Sequence, residues 1–206
     1  MNKDWTGNSS LYLTNHRKKD VDVAEHDLYC THPDSVKIFL QKCKDVGITL
    51  PRKIWEPAAG LNSIVDVLVE NGYDVLATDL VDRGCNKGGV DFLQLSLNNL
   101  PSEFQLYHEC ILTNPPYSMA KEFVEKALDL VSDSGWVIMF LKLTFLEGKK
   151  RQELFHNKHL KYVWVYTQRQ GCGKNIKEFE NGGAAASYAM FLWKKDYVGL
   201  PQIDWL

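Results

Sequence analysis

The feature of the sequence with the most specific chemistry is the run Asn114-Pro115-Pro116-Tyr117, which follows an apolar segment at 108–113. Each proline fixes its φ and removes a backbone N–H donor, so the turn is stiff and its carbonyl groups stay accessible as acceptors. The Asn114 side chain and a nearby backbone carbonyl then present two hydrogen-bond acceptors at a fixed spacing. Two such acceptors suit a planar NH2 group, and Tyr117 can stack on the ring that carries it. The run predicts a site that binds an aromatic amine; the alternative is a rigid turn that only starts the next helix.

A second group of residues has the chemistry of a nucleoside-binding crevice. The turn at 56–60 (Glu-Pro-Ala-Ala-Gly) follows a predicted strand, and its small residues allow a ligand to approach the backbone. Asp79 ends the next predicted strand, 19 residues after Gly60, where an acid can accept hydrogen bonds from ribose hydroxyls. Asp91 and Phe92 offer an acceptor for an adenine amino group and an apolar wall. The alternative is an ordinary strand-to-helix turn flanked by surface acids.

Strands and helices alternate along the chain, which predicts a doubly wound α/β sheet. Predicted strands lie at 53–56, 73–78, 108–113, 135–141, 162–166 and 186–193, with a weak one near 90–91, and predicted helices lie at 33–46, 63–70, 120–131 and 151–155. Thr31 is the predicted N-cap of the first helix. The last two strands have no helix between them, which predicts a hairpin-like edge with an antiparallel strand. Ligands of open α/β sheets bind at the carboxyl ends of the strands, so both groups of residues are expected in one crevice.

Length and composition predict one globular domain. The chain has 206 residues, of which 45% are apolar and 24% charged. We expect a domain at 28–206, preceded by a polar arm at 1–27 that is extended or partly disordered. No apolar run approaches the ~18 residues that a membrane span needs, and the N-terminus lacks a signal-peptide core, so a cytoplasmic protein is expected. Five cysteines without a Cys-x-x-Cys pair indicate neither a disulfide framework nor a metal site.

The distribution of charge is uneven although the net charge is only -2. The stretch at 142–177 holds nine Lys or Arg and two acids, a net charge of +7. Such a stretch favours a face that meets polyphosphate, and the alternative is a solvated helix and loop. The residues expected to contact a nucleic-acid backbone are Lys142, Lys149, Lys150, Arg151, Arg169 and Lys174.

Together these motifs resemble the amino-methyltransferase family, whose hallmark is Asp/Asn/Ser-Pro-Pro-Tyr/Phe/Trp. More narrowly, the chain is similar to small DNA methyltransferases encoded by phages and prophages. The shared motifs occur in one order over nearly the whole chain: Tyr29-Cys30-Thr31-His32-Pro33, Ile54-Trp55-Glu56, Thr78-Asp79-Leu80, Val90-Asp91-Phe92, Asn114 to Tyr117, and Phe140 to Gly148.

The resemblance implies a Rossmann-like fold with a mostly parallel, seven-stranded sheet, an antiparallel last strand and helices on both faces. It also implies S-adenosylmethionine as cofactor and methyl transfer to an exocyclic amino group of a DNA base. Asn at the first motif position favours adenine. The implied cofactor contacts are Tyr29, Thr31 and Pro33 over the methionine end, Glu56, Pro57, Ala58 and Gly60 around it, Asp79 and Leu80 at the ribose, Asp91 and Phe92 at the adenine, and Asn114.

Several alternatives for the substrate stay open at this stage. A base inside a duplex cannot reach such a pocket, so the target is expected to be flipped out or single-stranded. RNA and a protein glutamine amide also present NH2 groups, although enzymes of the latter kind usually add an N-terminal helical domain. A cofactor-binding subunit without activity is a further alternative. No segment is long enough for a separate target-recognition domain, so a specificity partner or a homo-oligomer is also considered.

Overall fold

The computed structural model describes residues 27–156, 159–168, 170, 172–173 and 186–206. The predicted arm therefore lies, apart from Asp27, outside the described residues. The strands are β1 Cys30–Thr31, β2 Lys53–Glu56, β3 Asp74–Ala77, β4 Cys110–Thr113, β5 Trp136–Lys142, β6 Leu160–Val165, β7 Cys172–Gly173, β8 Tyr188–Lys194 and β9 Gln202–Trp205. The helices are α1 Pro33–Asp45, α2 Ser63–Glu70, α3 Ser102–Gln105, α4 Ala120–Leu130 and α5 Gln152–His156.

Seven of these strands form one mixed sheet in the order β3-β2-β4-β5-β8-β6-β9. Strands β3, β2, β4 and β5 are parallel, β8 is antiparallel to both β5 and β6, and β9 is parallel to β6. The prediction of a mostly parallel, seven-stranded Rossmann-like sheet is confirmed. The antiparallel strand β8 lies between β5 and β6 and not at an edge, and the strand that ends the chain, β9, was not predicted.

The expected strand near Val90 and Asp91 does not form. A single parallel bridge between Thr78 and Lys87 extends that edge of the sheet. The chain folds back there in a tight loop: a Cβ on Gly88 would lie 2.3 Å from the Cα of Asp82. The close approach fits only a residue without a side chain, and a strand cannot continue through it.

Helices cover both faces of the sheet, as predicted. Alternate residues of β5 serve the two cores, with Ile138 and Phe140 on one face and Val137 and Met139 on the other. The first face is covered by α1 and α2, whose buried residues include Phe39 and Leu68, whereas α3, α4 and α5 cover the second. A central strand buried on both faces has to be apolar throughout.

The start of α1 differs from the prediction in a way that matters for the site. The N-cap is His32, whose Nδ1 accepts a hydrogen bond from the backbone N–H of Asp34 at 3.1 Å, and not Thr31. Thr31 belongs to β1, which pairs with β7 in a separate two-stranded sheet. Its backbone N–H donates to the Ser63 hydroxyl at 3.2 Å, and its own hydroxyl accepts from Asn114. His32 caps the helix, and the Thr31 hydroxyl binds Asn114 inside the crevice instead.

Candidate cofactor and amine-binding site

A cavity of about 270 Å³ lies at the carboxyl ends of β2, β3 and β4. Most of the residues predicted to bind a cofactor line it: Tyr29, Thr31, Glu56, Pro57, Ala58, Gly60, Asp79, Leu80, Asp91, Phe92 and Asn114, together with Pro116. Pro33, Pro115 and Tyr117 are not among its lining residues. Parallel strands bring their carboxyl ends to one edge, which is why motifs far apart in sequence meet here.

The turn after β2 is held in place by Asp79. The Gly60 N–H donates to Asp79 Oδ2 at 2.8 Å, which ties the end of β2 to the end of β3. Gly60 has φ +53, a backbone conformation that favours glycine, and a Cβ there would also displace the Leu28 side chain, whose Cδ1 lies 2.9 Å away. The other carboxylate oxygen accepts from Val81 N–H and Arg83 Nη1, each at 2.8 Å.

Arg83 is a pocket residue that sequence reasoning missed. It lines the cavity and forms a largely buried ion pair with Asp79, in which only 9% of the Arg83 side chain and 12% of the Asp79 side chain are exposed. A charge-assisted bond of this kind is stronger than a neutral hydrogen bond. The signal in the sequence is an arginine four residues after the acid, in a loop without any periodicity, which predicts nothing by itself.

Glu56 carries a buried carboxyl group at the inner end of the cavity. The residue is 1% exposed, and neither carboxyl oxygen has a hydrogen-bond partner of good geometry among the described residues. Burial raises the pKa of Glu56 to about 8; the nearby Thr113 hydroxyl and Ala58 N–H lower it, and the negative charge of Asp79 raises it. Glu56 therefore holds its proton at neutral pH unless a cation comes beside it.

Asp91 and Phe92 form another wall of the cavity. Asp91 caps the short 3-10 turn Phe92–Gln94 by accepting the Leu93 N–H at 3.1 Å. The Phe92 ring is 2% exposed and packs edge-on against Trp55, with 5.2 Å between ring centroids. Phe92 thus belongs both to the core and to the cavity wall, which makes this wall rigid and apolar.

The Asn114 side chain has a defined orientation. Its Nδ2 donates to the backbone oxygen of Tyr29 at 3.1 Å and to the Thr31 hydroxyl at 3.0 Å. The carbonyl of Tyr29 can only accept, so the nitrogen of the amide must be the atom that faces it. The side-chain oxygen Oδ1 is therefore directed away from these two partners, as an acceptor for an amine requires.

Tyr117 lies beside this cavity, and its neighbours include Tyr29, Lys142 and Tyr188, the last with 6.1 Å between ring centroids. The ring of Tyr29 stacks on it with 5.6 Å between centroids and an interplanar angle of 27°. The ammonium group of Lys142, at the end of β5, lies 4.5 Å from the centroid of the same ring. Lys142 therefore lies next to the predicted amine site, as a residue in contact with the substrate would.

The other predicted nucleic-acid residues divide into three groups. Lys149 and Lys150 line an open groove together with Lys121, in the first turn of α4, and with two acids, Glu122 and Glu153. The guanidinium of Arg151 donates instead to the carbonyl oxygens of Thr144, Phe145 and Glu147, so it holds the preceding loop. Arg169 and Lys174 lie outside the described residues.

Two further features, a membrane-spanning helix and a cluster of metal ligands, are absent from the described residues. None of the helices there combines the length and the apolar character that crossing a membrane requires. Within the same part of the chain, no three His, Cys, Asp or Glu side chains come together as metal ligands.

Comparison with known proteins supports the description of the fold. No protein-family model and no protein of curated function matches the sequence. Among solved structures, a candidate class I S-adenosylmethionine-dependent methyltransferase from Listeria monocytogenes matches with a TM-score of 0.59 at 12% identity, over 95% of this chain and 70% of that one. A candidate RNA methyltransferase from Pyrococcus horikoshii matches with a TM-score of 0.56 at 10% identity, over 90% and 96%.

A third structure is the modification subunit of a candidate type I restriction enzyme from Vibrio vulnificus. It matches with a TM-score of 0.55 at 13% identity, over 93% of this chain and 49% of its own length, so this chain spans about half of it. At these identities the similarity concerns the fold. The chain therefore has the Rossmann-like fold of the class I S-adenosylmethionine-dependent methyltransferases.

Proposed function

We propose that this chain is an S-adenosylmethionine-dependent methyltransferase that methylates the exocyclic amino group of a base in DNA, most specifically N6 of adenine. The observation that carries the proposal is the oriented amide of Asn114 at one end of a cavity that also contains Glu56 and Asp79. An acceptor for an amine beside an acidic nucleoside crevice is what transfer of a methyl group to nitrogen requires.

The walls of the cavity fit this cofactor by their chemistry. The buried carboxyl of Glu56 suits a cationic group such as the methionine ammonium, because the group has no hydrogen-bond partner of good geometry among the described residues. A carboxylate has about four lone-pair sites. Three protein donors use the carboxylate of Asp79, which leaves about one site for a ribose hydroxyl. Ala58 and Phe92 provide apolar surface for the adenine ring.

The residues of the chain act on the amine by binding and orienting it. When bound, S-adenosylmethionine supplies an electrophilic methyl group. Asn114 Oδ1 and the backbone oxygen of Pro115 accept the two protons of the NH2 group and aim the nitrogen lone pair into the cavity. As the nitrogen gains positive charge, both acceptors bind it more strongly than in the ground state, which is how they lower the barrier. The spare proton then leaves to water.

The proposal of DNA as substrate rests on the lysines near Tyr117 and near the first turn of α4. Lys142 lies against Tyr117, and Lys149 and Lys150 line the groove beside the first turn of α4, three residues after the motif. A phosphate backbone in this groove would bring a flipped or single-stranded base to the amine site. Arg169 and Lys174 are proposed to extend this basic surface. The fold is shared by a restriction-enzyme modification subunit and by a candidate RNA methyltransferase, so the test includes both DNA and RNA.

In the experiment the protein is incubated with methyl-labelled S-adenosylmethionine and, in parallel reactions, one of three acceptors: unmethylated DNA, unmethylated RNA, or a glutamine-containing peptide. The proposal predicts label in DNA only. Transfer to RNA or to the peptide alone would overturn the proposed substrate but not the chemistry. Tight cofactor binding with no transfer to any acceptor would favour a subunit that needs a specificity partner.

A further inference from the structure

Tyr29 lines the cavity, where the sequence predicts a cofactor contact, and it also lies against the amine-binding motif. Its ring stacks on Tyr117 with 5.6 Å between centroids, and the residue is 37% exposed. Aromatic rings that stack on each other are also the surfaces on which nucleobases stack. The pair therefore offers two aromatic faces on which a flat heterocycle can stack once the rings separate.

Hydrogen bonds on both sides of Tyr29 hold its backbone against the motif. Asp27 Oδ2, two residues before it, accepts the Ser118 N–H at 2.9 Å. Its own carbonyl and the Thr31 hydroxyl, two residues after it, both accept from Asn114. Three hydrogen bonds thus tie the segment 27–31 to Asn114 and Ser118, whereas the Tyr29 residue remains partly exposed.

We propose that the target base inserts between Tyr29 and Tyr117, so that Tyr29 is a second substrate-stacking residue. This inference rests on the proposed function and extends it. A base in contact with both rings needs about 7 Å between them, twice the ~3.5 Å contact distance of carbon atoms. The two rings stack on each other, so the partly exposed Tyr29 side chain has to rotate away from Tyr117 before the base enters. The inserted base then carries its amino group beside Asn114, whose amide is bound to Tyr29 itself.

The test compares Tyr29→Ala, Tyr29→Phe and the wild type on single-stranded DNA. Stacking of a base on an aromatic ring is worth about 1–3 kcal/mol, or roughly 5- to 150-fold. We expect kcat/KM for DNA to fall within this range for Tyr29→Ala and to stay near the wild-type value for Tyr29→Phe. An oligonucleotide with 2-aminopurine gives a second readout, since its fluorescence is quenched by stacking: it should be brighter when bound to Tyr29→Ala.

The control variant is Tyr107→Ala. Tyr107 donates to Asp74 at the amino end of β3, whereas the cavity lies at the carboxyl end of that strand, so methylation should not change. Calorimetry with S-adenosylmethionine alone should give the same Kd for Tyr29→Ala and the wild type. A fall in cofactor affinity that matches the fall in activity would show that Tyr29 serves the cofactor and overturn the inference.

Two further outcomes separate this inference from the function beneath it. If the wild type methylates DNA and Tyr29→Ala does so equally well or better, Tyr29 does not contribute to binding of the base. The inference then fails while the proposed function stands. If the wild type methylates no DNA base, the proposed function fails and the inference fails with it.

Discussion

The buried carboxyl of Glu56 should make the stability of the protein depend on pH in a predictable direction. Its pKa is raised from 4.5 to about 8, chiefly by burial. Below pH 4.5 the group is protonated in both the folded and the unfolded chain, so its titration does not change the free energy of unfolding. Between pH 4.5 and 8 the unfolded chain ionises it and the folded protein does not, so stability falls by about 1.4 kcal/mol per pH unit. Above pH 8 the loss levels off at roughly 5 kcal/mol.

The substitution Glu56→Gln removes this titration while it keeps the size of the side chain. In urea unfolding without cofactor, the variant and the wild type should be similar near pH 4.5, and the variant should be more stable by several kcal/mol at pH 8. The control is Glu70→Gln, at the exposed end of α2, which should follow the wild type at every pH. Parallel curves for Glu56→Gln and the wild type between pH 5 and 8 would refute the reasoning.

Three other predictions follow from the site. Cofactor affinity should rise with pH below about 8, by at most tenfold per pH unit, because a cation bound beside Glu56 makes the Glu56 carboxyl release its proton. Calorimetry in buffers of different ionisation enthalpy should count that proton, and an affinity that does not change with pH would contradict the prediction. Asn114→Ala should lower single-turnover methylation by about 10²–10³-fold at unchanged cofactor Kd, and a collapse of cofactor binding would assign Asn114 another role. Lys149→Ala and Lys150→Ala should each reduce the slope of log DNA affinity against log salt concentration by about 0.9 for each phosphate that is no longer neutralised. Arg151→Ala should instead lower the free energy of unfolding by about 1–3 kcal/mol. An unchanged salt slope for both lysine variants would exclude the groove as the DNA contact.

The parts of the fold that the sequence predicted are those with a repeating pattern of burial. Strand β5 is apolar throughout because both faces are covered, and α4 places Phe123 and Ala127 on one buried stripe. The motifs at strand ends could be located because each is a break in such a pattern. Their meeting in one cavity follows from parallel strands alone.

The parts that were missed have no such pattern. Strand β9 has only four residues, and its Ile203 and Trp205 are more than half exposed, so no burial pattern marks it as a strand. Two arginine contacts were also missed: the ion pair of Arg83 with Asp79, and the hydrogen bonds of Arg151 to carbonyl groups of the preceding loop. Both depend on the conformation of a loop, which local residue types do not determine. The N-cap shifted from Thr31 to His32 because the Thr31 hydroxyl accepts from Asn114, a partner 83 residues away.

The most direct test of the central claim is the position of the transferred methyl group. Unmethylated DNA, single-stranded and duplex, is incubated with labelled S-adenosylmethionine and either the wild type or Asn114→Ala, and is then digested to nucleosides. We expect label in N6-methyladenine with the wild type and an initial rate of labelling about 10²–10³-fold lower with Asn114→Ala. Label on a ring carbon of a base, or equal label with Asn114→Ala, would contradict the assignment of Asn114-Pro115-Pro116-Tyr117 as the amine-binding site.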